Sequence, residues 1–286
     1  MKKICFLILA FHYSALLCAQ SGDIKGHIID AQTNESLPYA NIFINNTTIG
    51  TATDVNGDFQ IKDVPNGISE LVISYVGYQL TQFKVEVNDN DVDIGTIRIE
   101  QLKQQLSNVE VQGTRDKTWE KQLKRFEKTF LGEDQAAQSC KILNPWVIDF
   151  TEGEERTLMA KAEVPIQINN MALGYKVNFY LKDFAANSKG YVIAGNVRFE
   201  EMITTNAAEA LAWVQNRKNS YIRSDRHLFK AILENKIREE GLYLYTDIPG
   251  ASNTQVRSPY FYADLNKKIM PCDTTGIVTK EPSRSA

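Results

Sequence analysis

The chain has 286 residues, of which 43% are hydrophobic and 23% charged, and these values exclude a disordered or collagen-like protein. Its 32 Lys and Arg residues against 35 Asp and Glu residues give a formal net charge of −3, which excludes a chain-wide attraction to nucleic acid. Only three His and four Cys residues are present, and one His and two Cys lie in the first twenty positions. This scarcity argues against a metal site built from these ligands, and the length favours one or two domains.

Residues 1–19 have the pattern of a secretory signal peptide. Two lysines precede a largely apolar run that ends in Leu17-Cys18-Ala19, directly before the polar Gln20. We therefore predict cleavage after Ala19 and an exported protein. A lipoprotein signal with Cys18 as the first mature residue is the alternative, although the residue before it is a bulky leucine. No later stretch approaches eighteen apolar residues, so no transmembrane helix is expected after signal cleavage.

Cleavage at this point would remove two lysines and change the formal net charge from −3 to −5. It would leave two cysteines, Cys140 and Cys272. In an oxidising compartment these two residues either pair or remain separate thiols, and the sequence leaves both alternatives open.

Residues 20–101 are predicted to form an all-β sandwich. Short runs alternate apolar and polar side chains, most clearly at 24–28 and 71–76, and clusters of turn residues separate the runs. Asn-Gly steps at Asn56-Gly57 and Asn66-Gly67 supply the positive φ that a reversing chain needs. No helical periodicity competes with this pattern.

The segment Asp54–Asp58 superficially resembles the start of a calcium-binding loop. Such a loop needs a bidentate Glu at its twelfth position, and here that position is Pro65. We therefore interpret the segment as a tight hairpin turn.

Three motifs in this region resemble those of carboxypeptidase-regulatory-like domains. They are Gly26–Asp30 with Leu37–Ile42, then Thr48–Phe59, then Ile73–Tyr78, which matches the family's S-Y-x-G-Y strand. The resemblance covers roughly residues 22–87. It implies a seven-stranded prealbumin-like sandwich that acts as an accessory folding or interaction module without catalysis. Such domains occur in many envelope proteins of Gram-negative bacteria, so the resemblance places the chain in the periplasm or at the periplasmic face of the outer membrane.

Residues 102–118 are expected to form a linker strand. Leu106–Gly113 resembles the segment that follows this domain in TonB-dependent transporters, where it precedes a large membrane-embedded part. The sequence after Gly113 does not have the pattern of such a membrane-embedded part, so we interpret the segment as the connection between two domains.

Residues 119–250 are predicted to form an α+β domain of unknown function, followed by a poorly ordered tail at 251–286. The first helix of the α+β domain, Trp119–Leu131, has one apolar stripe and a cluster of lysine and arginine residues. We interpret it as a packed helix with a solvated basic face, and peripheral association with an anionic membrane is the alternative. Helices are also expected after the capping residues Asn206 and Ser224. Strands are predicted at 147–150, 157–162, 164–168, 174–183 and 190–200.

This second region also resembles a segment that many envelope proteins with the same N-terminal domain carry. The resemblance spans about residues 119–245 and includes the tract from Trp213 to Phe229. No biochemical activity is firmly attached to that family, so this resemblance implies an architecture without a function.

The mature chain offers no evident catalytic or metal-binding residues and implies no cofactor. Its two histidines, His27 and His227, lack the ligand spacing of a zinc site, so carboxypeptidase activity is not expected. No sequence motif indicates a serine or cysteine nucleophile. The most suggestive polar group is a cluster that would contact an anion or a carbohydrate, or else form a solvated face with one packed histidine: Arg217, Arg223, Arg226 and His227.

We therefore predict a non-enzymatic exported envelope protein, an accessory or binding module. Its partner would be another envelope protein or a glycan, and not nucleic acid. The alternative is an envelope enzyme with an unrecognised active site in the second domain.

Overall fold

The computed structural model describes residues 21–102, 116–133, 135–222, 224–245 and 260–262. Its contacts divide the chain into two compact units, with the boundary between Thr204 and Thr205. Several sequence predictions lie outside the described residues: the signal peptide, most of the linker strand, Arg223, Cys272 and most of the tail.

The first seven strands form a sandwich of two sheets, which confirms the predicted fold of this region. The strands are β1 (Ser21–Asp30), β2 (Asn41–Ile44), β3 (Gly50–Ala52), β4 (Asp58–Pro65), β5 (Gly67–Ser74), β6 (Thr81–Val87) and β7 (Val92–Ile99). One sheet has the order β4-β1-β7 and the other has the order β3-β2-β5-β6. β1 pairs antiparallel with β4 and parallel with β7.

The inner faces of the two sheets form a dry apolar core. The alternating residues of each strand point inward, as the period of two in the sequence predicts. Ile28, Ile42, Leu71 and Ile73 are completely buried, and Ile99 is 1% exposed. The two sheets therefore close over one continuous core.

The Asp54–Asp58 turn is tight, but it is not the hairpin that the sequence suggested. It connects β3 of one sheet to β4 of the other, so the strands that it joins do not pair. Oδ1 of Asp54 accepts hydrogen bonds from the backbone N–H groups of Asn56 at 2.8 Å and Asp58 at 2.9 Å. Gly57 has φ of 85°, and a Cβ there would lie 2.8 Å from the carbonyl oxygen of Ile28. Glycine is required because the turn crosses between sheets against β1.

A six-stranded antiparallel sheet follows the sandwich within the first unit. Its strands are β8 (Cys140–Ile142), β9 (Ile148–Glu152), β10 (Leu158–Ala162), β11 (Ile166–Asn170), β12 (Tyr175–Ala186) and β13 (Tyr191–Glu201). The order is β8-β11-β12-β10-β9, and β13 pairs with β12 along almost its whole length. The long β12 pairs with β11 through its first half and with β10 through its last residues. Strands β9 to β13 agree with the five predicted strands to within a few residues at their ends, whereas β8 was not predicted.

One long helix packs on this sheet. Helix α1 (Lys117–Phe130) begins after Asp116, whose side chain accepts hydrogen bonds from two backbone N–H groups of the first turn. Phe126 is completely buried, and its ring lies 4.6 Å from that of Phe184 and 5.6 Å from that of Phe150. A short helix α2 (Gln135–Gln138) precedes β8. The apolar stripe seen in the sequence is therefore the packed face of α1.

The sandwich and the six-stranded sheet meet across the outer face of β2 and β5. Phe43 and Val72 are register partners that point away from the sandwich core, yet both are completely buried. The ring of Phe43 stacks on Tyr180 of β12, with 5.4 Å between ring centroids. Burial raises the pKa of the Tyr180 hydroxyl, which hydrogen-bonds Ser74. This sandwich sheet is thus covered on both faces.

Backbone hydrogen bonds extend this contact to β13. The N–H of Asn46, in the turn after β2, donates to the carbonyl oxygen of Val197 at 2.9 Å, and the N–H of Phe199 donates to that of Thr47 at 3.0 Å. Oδ1 of Asn45 accepts from the N–H of Val197 at 2.8 Å. The sandwich and the six-stranded sheet therefore form one unit. The domain limits expected at residues 101 and 119 stay a prediction.

The described part of the second unit contains two helices and a pair of short antiparallel strands. Helix α3 (Ala207–Tyr221) begins after Asn206 and helix α4 (Asp225–Leu233) begins after Ser224, which confirms both predicted caps. Strands β14 (Tyr243–Tyr245) and β15 (Tyr260–Tyr262) pair antiparallel. Across the described part of the chain, no helix has the length and apolar character needed to span a membrane.

Replacing Phe43 by Ala should test the covered outer face of the sandwich. We expect the Phe43→Ala variant to lose about 4 kcal/mol of unfolding free energy, because a large buried ring is removed. Urea denaturation followed by tryptophan fluorescence measures this loss. The control is Ile68→Ala, since Ile68 lies in the same sheet but is 70% exposed, and its loss should stay within about 0.5 kcal/mol. Equal small losses would show that the outer face is open to water.

Candidate functional site

The structure places three members of the predicted polar cluster in the second unit. Arg217 is half-buried in α3, Arg226 is exposed in the first turn of α4, and His227 follows it with only 6% exposure. Arg223 lies outside the described residues. The hypothesis that this cluster contacts an anion or a carbohydrate therefore stays a prediction.

His227 is held by neighbours that the sequence analysis did not identify. Its Nε2 lies 3.2 Å from Oε2 of Glu240, and its ring lies 5.1 Å from that of Tyr221. Its backbone N–H donates to Oγ of Ser224 at 3.2 Å, which caps the helix. Glu240 is thirteen residues further along the chain, so no local spacing indicates the pair. The histidine connects the two helices to the segment after α4, which is a structural role.

A second polar group lies on the surface of the sandwich and includes the other histidine. Nδ1 of His27 is 2.8 Å from Oδ1 of Asp58, and its Nε2 is 3.2 Å from Oγ of Ser36. With the proton on Nδ1, the ring donates to the carboxylate and accepts from the serine hydroxyl. The three residues thus have the connectivity of a serine nucleophile, a base and an orienting carboxylate.

The fold explains why these three side chains meet. His27 and Asp58 are direct register partners on β1 and β4, and Ser36 forms an isolated bridge with Ile29. A Cβ on Gly57 would lie 3.0 Å from that of Ser36, so the turn before β4 presses against the group. The sequence analysis missed the arrangement because Ser36 is nine residues and Asp58 thirty-one residues from His27.

Solvent limits what this group can do chemically. The side chain of Asp58 is 61% exposed and that of His27 is 30% exposed. Water competes for these hydrogen bonds, so the dry, low-dielectric surroundings that strengthen transition-state contacts are missing here. The geometry fits two interpretations. One is a nucleophile with its base, and the other is an ordinary cross-strand contact between β1 and β4.

A buried carboxylate closes one end of the sandwich. Asp30, which is 2% exposed, ends β1 and accepts hydrogen bonds from the backbone N–H groups of Gln32 at 2.6 Å and Thr33 at 2.9 Å. Its Oδ2 accepts from the hydroxyl of Tyr78 and from Nε2 of Gln101, both at 2.6 Å. These donors come from the turn after β1, the connection between β5 and β6, and the end of β7. One side chain therefore joins both sheets.

Asp30 and its hydrogen-bond donors are called the Asp30 node below, and these hydrogen bonds set its protonation. The Tyr78 hydroxyl, followed by the Thr33 N–H and the Gln101 amide, holds the pKa of Asp30 far below its usual range. The same bond to Asp30 raises the pKa of Tyr78. Gly77 has φ of 84° and turns the chain so that Tyr78 reaches the carboxylate. Gly77 and Tyr78 of the S-Y-x-G-Y motif thus have a structural role.

A groove lies beside the end of α1. It has a volume of 320 Å³, and its wall includes Glu127, Lys128, Glu133 and the half-buried Cys140. The Lys128 ammonium lies 2.8 Å from Oε1 of Glu133, so two of these charges neutralise each other. The described wall contains no histidine. The alternative of a disulfide between Cys140 and Cys272 involves a residue outside the described part of the chain.

The described residues give no support for a metal centre. Among them, no three His, Cys, Asp or Glu side chains are grouped so that they would hold a metal ion. His27 and His227 each face one carboxylate at hydrogen-bond distance, at Asp58 and Glu240.

Removing the Tyr78 hydroxyl should test the Asp30 node. We expect Tyr78→Phe to lower the unfolding free energy by about 2 kcal/mol at pH 7, because a hydrogen bond to a charged group is lost. The pKa of Asp30 is lowered in the folded state, so its contribution is complete above about pH 4 and is lost as the pH falls further. The difference between wild type and variant should therefore shrink in acid.

Urea denaturation at several pH values measures both effects. Tyr75→Phe is the matched control, since it removes the same atom from the adjacent ring, 5.2 Å away, and leaves the Tyr78–Asp30 bond in place. Equal losses in the two variants, or a difference that does not change with pH, would contradict the role assigned to the node.

Comparison with known proteins identifies the first part of the chain. Residues 24–111 match the model of the CarboxypepD_reg-like domain family. The TonB-dependent receptor SusC of Bacteroides thetaiotaomicron is 34% identical over 89 residues, which are 31% of this chain and 9% of the receptor. The TonB-dependent receptor P3 of Formosa agariphila is 28% identical over 90 residues, 32% of this chain and 9% of the receptor. The chain thus matches only a small part of these relatives' length.

Solved structures give weaker likenesses. A type II cohesin–X-dockerin complex from Acetivibrio cellulolyticus is 26% identical, covering 26% of this chain and 52% of that one, with a TM-score of 0.23. The pilus 2b backbone protein of group B streptococcus is 19% identical, covering 29% and 42%, also with a TM-score of 0.23. TM-scores of this size do not establish a shared overall fold. Residues 24–111 thus match the carboxypeptidase-regulatory-like family, and the seven-stranded sandwich lies within residues 21–99 of the chain.

Proposed function

We propose that this protein is a non-enzymatic, exported protein of the bacterial envelope. Its carboxypeptidase-regulatory-like domain would serve as an accessory or binding module for another envelope protein or a glycan. The observation that carries this proposal is the family match at residues 24–111. The similarity to part of two TonB-dependent receptors supports an envelope location, at the periplasmic side of the outer membrane.

The geometry of the domain favours a module without catalysis. The polar residues of its signature motifs are occupied in holding the chain together: Asp30 and Tyr78 close one end of the sandwich. Thr53, which is 2% exposed, donates to the carbonyl oxygen of Leu37 at 2.6 Å and accepts from the N–H of Ala40 at 2.8 Å. The motifs therefore specify a scaffold, and we assign binding to its exposed surface.

Photo-cross-linking in intact cells tests both location and binding. A photoreactive amino acid would replace Tyr39 or Val55, which lie on the sandwich with 66% and 68% exposure. The cross-linked protein is then recovered from cell fractions, and its N-terminus is sequenced. We expect an envelope protein that begins at Gln20 and discrete cross-linked species from at least one of these positions.

The control places the same amino acid at Val72, which is completely buried between sheets and should give no intermolecular product. An uncleaved protein in the cytoplasm would overturn the envelope location. The absence of cross-linked species from every exposed position of the sandwich would overturn the binding role.

A second candidate function rests on the hydrogen-bonded group of Ser36, His27 and Asp58. This group favours an ester-hydrolysing activity, in the sandwich rather than in the second region. His27 would accept the Ser36 proton as Oγ attacks an ester carbonyl, and would return it to the departing alcohol oxygen. Water would then cleave the acyl-serine and release the acid.

Hydrolysis of p-nitrophenyl acetate by the full chain separates the two functions. If Ser36 is the nucleophile, Ser36→Ala should abolish the protein-dependent rate, and mass spectrometry should show an acetyl group on Ser36. Ser188→Ala is the control, because Ser188 is exposed in the loop between β12 and β13. A rate that Ser36→Ala leaves unchanged would exclude this candidate and support the non-enzymatic function.

A further inference from the structure

Helix α1 presents a row of four lysines to solvent. Lys117, Lys121, Lys124 and Lys128 follow one another at steps of four, three and four residues, and all four are exposed. At 3.6 residues per turn these positions fall within a sector of about 60°, and the row is about 16 Å long. It is therefore a straight line of positive charge on one side of the helix.

Packing fixes the direction in which this row points. Trp119, Phe126 and Phe130 lie on the opposite side of the helix, and Nε1 of Trp119 donates to the carbonyl oxygen of Ile148 at 3.0 Å. Phe130 packs edge-on against Phe179 of β12, with 4.9 Å between ring centroids. Since the apolar stripe is buried against the sheet, the lysines are held outward on a rigid support.

The row is an unfavourable arrangement for an isolated helix. Like charges three and four residues apart repel each other and destabilise the helix. Three such neighbouring pairs occur along the row, at Lys117–Lys121, Lys121–Lys124 and Lys124–Lys128. The packed stripe outweighs this repulsion, so the helix persists with its charges concentrated on one side.

Two acidic residues of α1 lie beside the row rather than within it. Glu120, which is exposed, and Glu127, which is half-buried, are about a quarter turn to one side of the centre of the row. Burial raises the pKa of Glu127. Asp116 is engaged with the first turn, and Glu133 pairs with Lys128. Electrostatic attraction is screened over about 8 Å in physiological salt, so a partner interacts mainly with the charges that it touches. Since Lys128 is paired with Glu133, those charges are Lys117, Lys121 and Lys124.

We propose that this lysine row docks the protein on an anionic phospholipid surface, with α1 lying parallel to the membrane. The proposal deepens the proposed envelope function by naming a partner. A straight row on a convex helix suits a flat partner, and phosphate groups supply the complementary charge. The apolar side of α1 is occupied within the protein, so the contact is electrostatic, without insertion of the helix into the acyl region.

Co-sedimentation with lipid vesicles tests this docking. The full chain without residues 1–19 is mixed with vesicles of phosphatidylcholine alone or of an equal mixture of phosphatidylcholine and phosphatidylglycerol. We expect binding to the mixed vesicles only, and its release in high salt. Replacing Lys117, Lys121 and Lys124 together by Gln should weaken binding at least about tenfold, since each lysine near an anionic surface contributes separately.

A matched variant removes the same charge elsewhere. Lys62, Lys84 and Lys182 are exposed on strands of the same unit, and their joint replacement by Gln should leave vesicle binding unchanged. Gln and Lys have similar helix propensities, and circular dichroism checks that all the proteins remain folded. Equal effects of the two triple variants, or equal binding to both kinds of vesicle, would overturn the proposal.

Two further outcomes are informative. Lysine-dependent binding to soluble polyglutamate, with none to vesicles, would overturn the membrane surface in favour of an acidic protein partner. The vesicle measurement uses purified protein, whereas the cross-linking measurement uses cells. If the protein binds vesicles but is found in the cytoplasm, only the envelope function is overturned. If it is found in the envelope but does not bind vesicles, only the docking proposal is overturned.

Discussion

The first unit depends on a sandwich sheet that is apolar on both faces. Ile42 and Ile73 point into the sandwich core, whereas Phe43 and Val72 point outward from the same two strands. Leaving two large apolar side chains in water would cost folding free energy, so a second layer must cover them. The six-stranded sheet is that layer, with Tyr180 directly against Phe43. This requirement explains why two sheet systems with separate cores form a single unit.

The same requirement separates the features of the fold that can be predicted from the sequence from those that cannot. Alternation and turn residues were sufficient to predict an all-β sandwich, whereas the count of seven strands came from the family resemblance. Capping residues located α3 and α4 because these signals act within a few residues. The covering layer was missed, although a signal was present: Phe43 interrupts the polar side of the alternation in β2, and Val72 does so in β5. Runs that are apolar at successive positions are typical of strands buried on both faces. The signal shows that a cover exists but does not identify which segment supplies it.

Functional groups were harder to predict than strands for a related reason. His27 was identified as a strand residue without a ligand partner, yet strand register brings Asp58 and Ser36 to its two ring nitrogens. His227 was expected either to contact a ligand or to pack beside a solvated face, and the partner that holds it, Glu240, was not identified. In both cases the partner comes from another element, so only the pairing of strands or the packing of helices reveals it. The role of Tyr78 was likewise visible only once the end of β1 was located.

The turn after β2 has a consequence for how copies of the protein behave toward one another. β13 is the last strand of its sheet, and an unprotected last strand offers backbone groups to which a neighbouring chain can add a strand. Asn45, Asn46 and Thr47 bond the backbone of Val197 and Phe199, so they occupy this edge where it would otherwise be open. The turn thereby blocks strand addition along this part of the edge. A second copy of the protein cannot pair its backbone with residues 197–199 without first displacing the turn after β2.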